Sequence, residues 1–297
     1  MQPRKFLTIL ALQLLGARGI QAQTPPGLLL IHFRSAHTAF PDTGRMAGHY
    51  YDGVFYDAFS HYADDSVLLI VPEHLRVTRK LDMVFWFHGW RNNIDSAAIR
   101  YGLIRQFAAA GRKAVLVLAE TARDAPDSYG GKLEQQGMFL KLVKDVLAKL
   151  HATGILSGNC RPGNIILAGH SGAYRVIAAV LQKGEMRVRE TDLFDALYGE
   201  TESFMNWLET DPHNRFINWY TNVGGGTDLV SKSMMQQMKT AKLPFIFTEE
   251  DSLSIKMLQN NKRVFVHSNR PHDMIINDPD NFESLLESSP FLKKLRD

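Results

Sequence analysis

The chain has 297 residues, 45% of them hydrophobic and 22% charged, a balance that excludes a disordered tail and fits one large globular domain or two small ones. Its formal charge is +3, but Arg4, Lys5 and Arg18 all lie in the first 22 residues, which hold no acid, and the remainder is balanced at 31 basic and 31 acidic side chains. The surplus belongs to a leader rather than to a patch, so no nucleic-acid footprint follows from it.

Arg4 and Lys5 precede an apolar run over 6–15, ten residues and too short to cross a bilayer as an anchor. Ile20 and Ala22 then occupy the −3 and −1 places of a cleavage site. This is the pattern of a secretory signal over 1–22, and it predicts export to the periplasm or outside of a bacterial-type cell. No later run approaches the ~18 apolar residues of a membrane span. Cys160 is the sole cysteine, so neither an internal disulfide nor a thiolate metal cluster can form, and a core of this size needs neither.

Past the leader, the run 28–33 (LLLIHF) reads as a strand. A polar and aromatic stretch over 34–65 separates it from a second strand at 66–71, and a third follows at 82–87. A helix is predicted over 96–110, with Ala98, Ile99, Leu103, Ile104 and Phe107 on one stripe, and then a strand at 114–119. A Gly- and Asp-containing loop leads to a helix over 136–150 and a strand at 164–168, with a helix over 171–181 directly behind it. Further strands at 192–197, 216–221 and 263–267 are interleaved with helices at 201–208, 231–239 and 281–286. The strand runs do not alternate polar with apolar, so both faces of the sheet are covered, as in a mostly parallel sheet. The expectation is an α/β fold: a three-layer sandwich around a central, mostly parallel sheet, in a single domain over 23–297.

The densest chemical signal is NIILAGHSGAY, where an apolar strand runs into Gly169-His170-Ser171-Gly172-Ala173 and a helix begins at once. A serine on so sharp a turn holds its hydroxyl clear of the backbone, small neighbours let the turn close, and the next N–H can face a developing oxyanion. The usual G-x-S-x-G pattern ends here in Ala173 instead of glycine. These residues resemble the nucleophile turn of the α/β-hydrolase superfamily. His88-Gly89-Trp90, at the end of the third strand, is similar to the family's oxyanion segment. The resemblance implies Ser171 as nucleophile, the N–H groups of Gly172 and Trp90 as oxyanion donors, and His88 as loop support. Family order places acid and then histidine after the serine. His272, on a loop beyond the last strand, is the expected base, with His267 inside that strand as the lesser candidate. Asp195, at a strand end in apolar surroundings, is the preferred acid. Asp228, after the next strand, is the commoner family place, and Asp273 is a further option.

His32, His37, His49 and His61 invite a metal reading, but they lack the compact i, i+4 pair of a helical zinc site, and no metal is expected. Gly224–Gly226 lacks the Gly-Lys-Ser/Thr of a phosphate loop, and no cofactor is implied. The leading expectation is an exported serine hydrolase that cleaves an ester through an acyl-enzyme. Arg91, Asn92 and Asn93 beside the oxyanion segment point to a polar small-molecule, peptide or glycan ester. An amidase or peptidase would use the same groups, and a non-catalytic binding protein on the same scaffold is the other class.

Overall fold

A computed structural model describes residues 25–77 and 79–295, so the leader expected over 1–22 lies outside them. The sheet begins with β1 (Leu28–Arg34). A small antiparallel hairpin follows, β2 (His49–Tyr51) and β3 (Val54–Tyr56), then a one-turn helix, α1 (Ala58–His61). Asp52 and Gly53, at φ 49° and 74°, make the left-handed turn that a two-residue hairpin requires. Next come β4 (Ser66–Pro72), β5 (Lys80–Phe87), α2 (Ile94–Arg100), α3 (Leu103–Ala110), β6 (Ala114–Ala119) and α4 (Met138–Ala152). The second half runs β7 (Arg161–His170), α5 (Tyr174–Lys183), β8 (Val188–Phe194), α6 (Thr201–Thr210), β9 (Arg215–Thr221) and α7 (Asp228–Thr240). It ends with β10 (Ile246–Glu249), α8 (Ile255–Asn260), β11 (Arg263–Ser268) and α9 (Asn281–Ser288).

Nine strands form one sheet in the order β1-β4-β6-β5-β7-β8-β9-β11-β10. Pairing is antiparallel on both sides of β4 and parallel from β6 onward. Successive residues of a strand point to opposite faces, and each face has its own core. Val67, Leu69, Phe85, Val117 and Leu167 meet α4, α5, α6 and α7 on one side. Leu68, Ile70, Trp86, Leu118 and Ile166 meet α2, α3 and α9 on the other. With both faces buried, β4, β5, β6 and β7 carry apolar residues at several successive positions, which is why the sequence shows runs rather than alternation. No helix among the described residues is long and apolar enough to cross a membrane.

Several boundaries differ from the sequence reading, each for a local reason. The helix expected over 96–110 is two helices, broken where Gly102 takes φ 59°, the left-handed conformation that commonly ends a helix. The strand expected at 192–197 is Val188–Phe194. Its polar start is buried because Glu190 pairs with Arg215 on β9, and its end comes early because Asp195 turns the chain at φ 43°. The helix expected from 171 opens with a tight 3-10 turn, Ser171–Ala173, before α5. β2, β3 and α1 inside the 34–65 stretch, and β10 and α8 later in the chain, fall where no element was expected.

Candidate active site

β7 delivers the central turn. His170 is its last residue and Ser171 follows at φ 55°, a strained position for a side-chain-bearing residue. The turn closes because its neighbours are small. A Cβ at Gly169 would stand 2.6 Å from that of Ala173, and a Cβ at Gly89 would stand 2.5 Å from that of Ser171. Ala173 itself is buried, so the departure from the glycine pattern is accommodated by Gly169 having no side chain. Ser171 opens on a cavity of about 420 Å3 walled by Trp90, Tyr174, Tyr198, Ser128, Gly172 and Gly225. Clefts elsewhere are larger, 580 Å3 beside Pro244, 630 Å3 beside Lys293 and 590 Å3 beside Trp207, but none of these is lined by a serine together with a histidine.

Asp195 is fully buried at the end of β8, its N–H donating to Trp219 O at 2.8 Å. One carboxylate oxygen accepts from the Thr221 N–H at 3.3 Å and from the Thr227 hydroxyl, and the other meets Nδ1 of His272. A buried carboxylate needs such partners to offset lost hydration. Gly225 makes the room, since a Cβ there would come within 1.7 Å of Asp195 Oδ2. The triple glycine thus has a place in the site that its sequence context did not reveal. His272 follows β11 on a loop, its N–H donating to Val223 O at 3.1 Å. Among the described residues no hydrogen bond joins Ser171 Oγ to the His272 ring. Tyr198 shares the cavity wall with Ser171 and sets its ring edge-on to that of His272 at 6.4 Å. Burial pushes the Tyr198 phenol above its ordinary value, the charge of Asp195 adds to this, and contact with Ser171 works against it.

The other acid and base candidates are engaged with other partners. Asp228 is the first residue of α7, where Lys232 pairs with it at 2.9 Å. Asp273 pairs with Arg100 at 2.7 Å. His267 stays within β11, and its Nδ1 meets Glu249 at 2.7 Å.

Trp90 and Gly172 meet directly: a Cβ at Gly172 would stand 2.5 Å from Trp90 Cδ1. The Trp90 indole N–H donates to Ser128 at 2.7 Å, and its outer edge packs on Tyr51 of β2 at 5.0 Å. Gly172 is second in its 3-10 turn, where main-chain N–H groups have no partner within the helix. His88 is buried behind this segment. Its Nδ1 lies 2.7 Å from Gly89 O and therefore carries a proton, while Nε2 meets Glu120 at 2.5 Å and the Thr121 hydroxyl at 2.9 Å. Burial disfavours charge on the imidazole, but the Glu120 carboxylate outweighs it and holds His88 above its ordinary value. Glu120 also accepts from Ile94 N at 3.3 Å, tying the start of α2 to the ends of β5 and β6.

The histidines weighed as metal ligands are dispersed. His37 bonds Asp145 at 2.7 Å and His61 bonds Arg123 O at 2.8 Å. A tighter group, His170, His272 and Asp273, could geometrically gather an ion. Its donors are engaged, because both nitrogens of His170 and the Asp273 carboxylate already have partners.

No family model matches the chain, and no curated protein matches it by sequence. Solved structures do match. A ferulic acid esterase aligns over 90% of this chain and 98% of its own, at 10% identity and a TM-score of 0.58. A feruloyl esterase module from Clostridium thermocellum, complexed with sinapinate, aligns over 92% of each chain at 9% identity and a TM-score of 0.53. The likeness is one of fold, a mostly parallel sheet with helices on both faces. The chain has the α/β-hydrolase fold.

Proposed function

We propose that the protein is an exported serine esterase. The observation that carries this reading is the buried Asp195 held against Nδ1 of His272, at the end of the sheet where Ser171 turns into the cavity. With Nδ1–H donating to the carboxylate, Nε2 of His272 is the lone-pair nitrogen, the tautomer a general base needs. Ser171 Oγ attacks the ester carbonyl as its proton passes to Nε2. The N–H groups of Gly172 and Trp90 receive the oxyanion. When the tetrahedral intermediate collapses, His272 protonates the departing alcohol and an acyl-serine remains. Water repeats the sequence and releases the acid. Ser171 and the His272 ring are not hydrogen-bonded in the structure, and in such sites this bond often tightens only in the reactive complex.

The walls of Trp90, Tyr174 and Tyr198 suit a planar acyl group, and polyphenol esters are the substrate class they favour. The 1–22 leader supports export, and intact-mass measurement of the protein from an exporting host is expected to show its loss. A fluorophosphonate probe tests the chemistry: it labels the native protein, and Ser171→Ala abolishes labelling and lowers ester turnover by at least ~10³-fold. Native protein that takes no label and turns over no aryl ester is a binding protein on this fold.

A further inference from the structure

His170 immediately precedes the nucleophile and is 2% exposed. Its ring lies on that of His272, with centroids 4.4 Å apart and planes inclined by 35°. Nε2 stands 3.0 Å from the main-chain oxygen of His272. A carbonyl oxygen only accepts, so Nε2 carries the proton. Nδ1 is then an acceptor, and the Tyr101 hydroxyl donates to it at 3.1 Å. The tautomer is thereby settled and both nitrogens are occupied. Burial, reinforced by His272, keeps His170 well below its ordinary value, so the ring is neutral at neutral pH.

His272 needs such support because it sits on a loop rather than on a strand or helix. Its N–H is held by Val223 O and its C=O by His170, one anchor on each side of its Cα. Asp195 takes Nδ1, and the face of the imidazole rests on the His170 ring. We infer that His170 is the positioning residue of the base: its Nε2–H holds the main chain of His272 and its ring backs the imidazole, presenting Nε2 to Ser171. This rests on the serine-esterase reading. Arg100 and its partner Asp273, Asp195, and the phenols of Tyr101 and Tyr198 also face the stacked pair. The proton that His272 takes from Ser171 stays on its Nε2 until the departing alcohol takes it, since the ring behind it has no free nitrogen to receive it.

The test uses the full chain with p-nitrophenyl acetate as the probe. His170→Phe keeps a ring and loses both hydrogen bonds, whereas the amide of His170→Gln keeps a donor of similar reach for the carbonyl. In His170→Phe kcat is expected to fall ~10²-fold with KM within about threefold, because the base is misplaced and the substrate contacts are not. His170→Gln recovers at least about tenfold of that loss. A low-field proton resonance from the His272–Asp195 bond, assigned by its disappearance in Asp195→Asn, is expected in the native protein and in His170→Gln but not in His170→Phe. A folded His170→Phe protein with native kcat and an unchanged resonance overturns the inference, as does a loss that His170→Gln does not relieve. If His170→Phe does not fold, His170→Leu carries the test. It likewise removes the Nε2–H donor that holds the His272 carbonyl, and native kcat together with an unchanged resonance in that protein overturns the inference equally. Ser171→Ala separates the two claims: retained turnover there removes the esterase reading, whereas an inactive Ser171→Ala beside a fully active His170→Phe removes only the role of His170.

Discussion

Ser171, Asp195 and Arg91 each hold a positive φ, at 55°, 43° and 54°, and each lies at or beside a group with a proposed part in the chemistry. Such conformations cost about 1–3 kcal/mol apiece and persist where the surroundings impose them. At Asp195 the imposed geometry turns the carboxylate from the strand end toward His272, in preference to Asp228, which the chain uses to begin a helix. The kinetic expectation follows. Asp195→Asn should lower kcat by up to ~10⁴-fold, the size of effect known for an amide in this role, because an amide can favour the wrong imidazole tautomer. Asp228→Asn should cost less than about threefold, as expected for an exposed i, i+4 pair. A selective loss at Asp228 would transfer the role. The residues proposed as serine, base and acid stand out in the sequence because each sits at or just beyond the end of an apolar run. Thr227, Gly225 and Ser128 do not, since their parts depend on which loops meet in space. His170 stood in plain view beside the serine, but only the fold shows that its ring lies under His272.

At the scale of elements, the strand ends behind the oxyanion segment are joined by one buried pair, His88 and Glu120. Glu120 follows β6 directly and touches the ends of three elements. Removing one partner of such a pair leaves the other buried and uncompensated. Glu120→Ala is therefore expected to lose about 3–5 kcal/mol in urea unfolding. Turnover should fall as well, because Trp90 is two residues from His88. Native stability in that variant would mean that the pair is not a tie. The main helices were legible because their apolar residues follow the helical period, and the main strands because they are short, unbroken apolar runs. Less was legible where packing decides. β10, four residues of mixed polarity, is a strand because β11 lies beside it. The Asp52-Gly53 turn signal stands in the sequence, but the flanking Tyr50 and Phe55 are exposed and mark no core face.

For the whole molecule, the buried neutral His170 links stability to pH. Unfolded, its imidazole binds a proton below about 6.5; folded, it does not until well below that value. The stability it confers is thus present above the unfolded value and is lost as the pH falls. The slope is up to about 1.4 kcal/mol per pH unit. Native protein and His170→Gln, compared by urea unfolding at pH 7.5 and 5.5, should diverge in that sense. The buried carboxyls Glu120 and Asp192 titrate in both proteins and cancel from the comparison. Equal pH slopes would mean that His170 is protonated in the folded state.

The placement of β10 outside β11 has a further consequence. β11, which leads to the His272 loop, is hydrogen-bonded on both flanks, whereas β1 and β10 form the rims of the sheet. Local opening releases edges before interiors. Deuterium should therefore enter from the two rims and reach β5, β7 and β8 last. The loops bearing Ser171 and Asp195 would then keep their mutual registration through the early openings, and β10 is the one strand that shields β11 and the His272 loop from that rim.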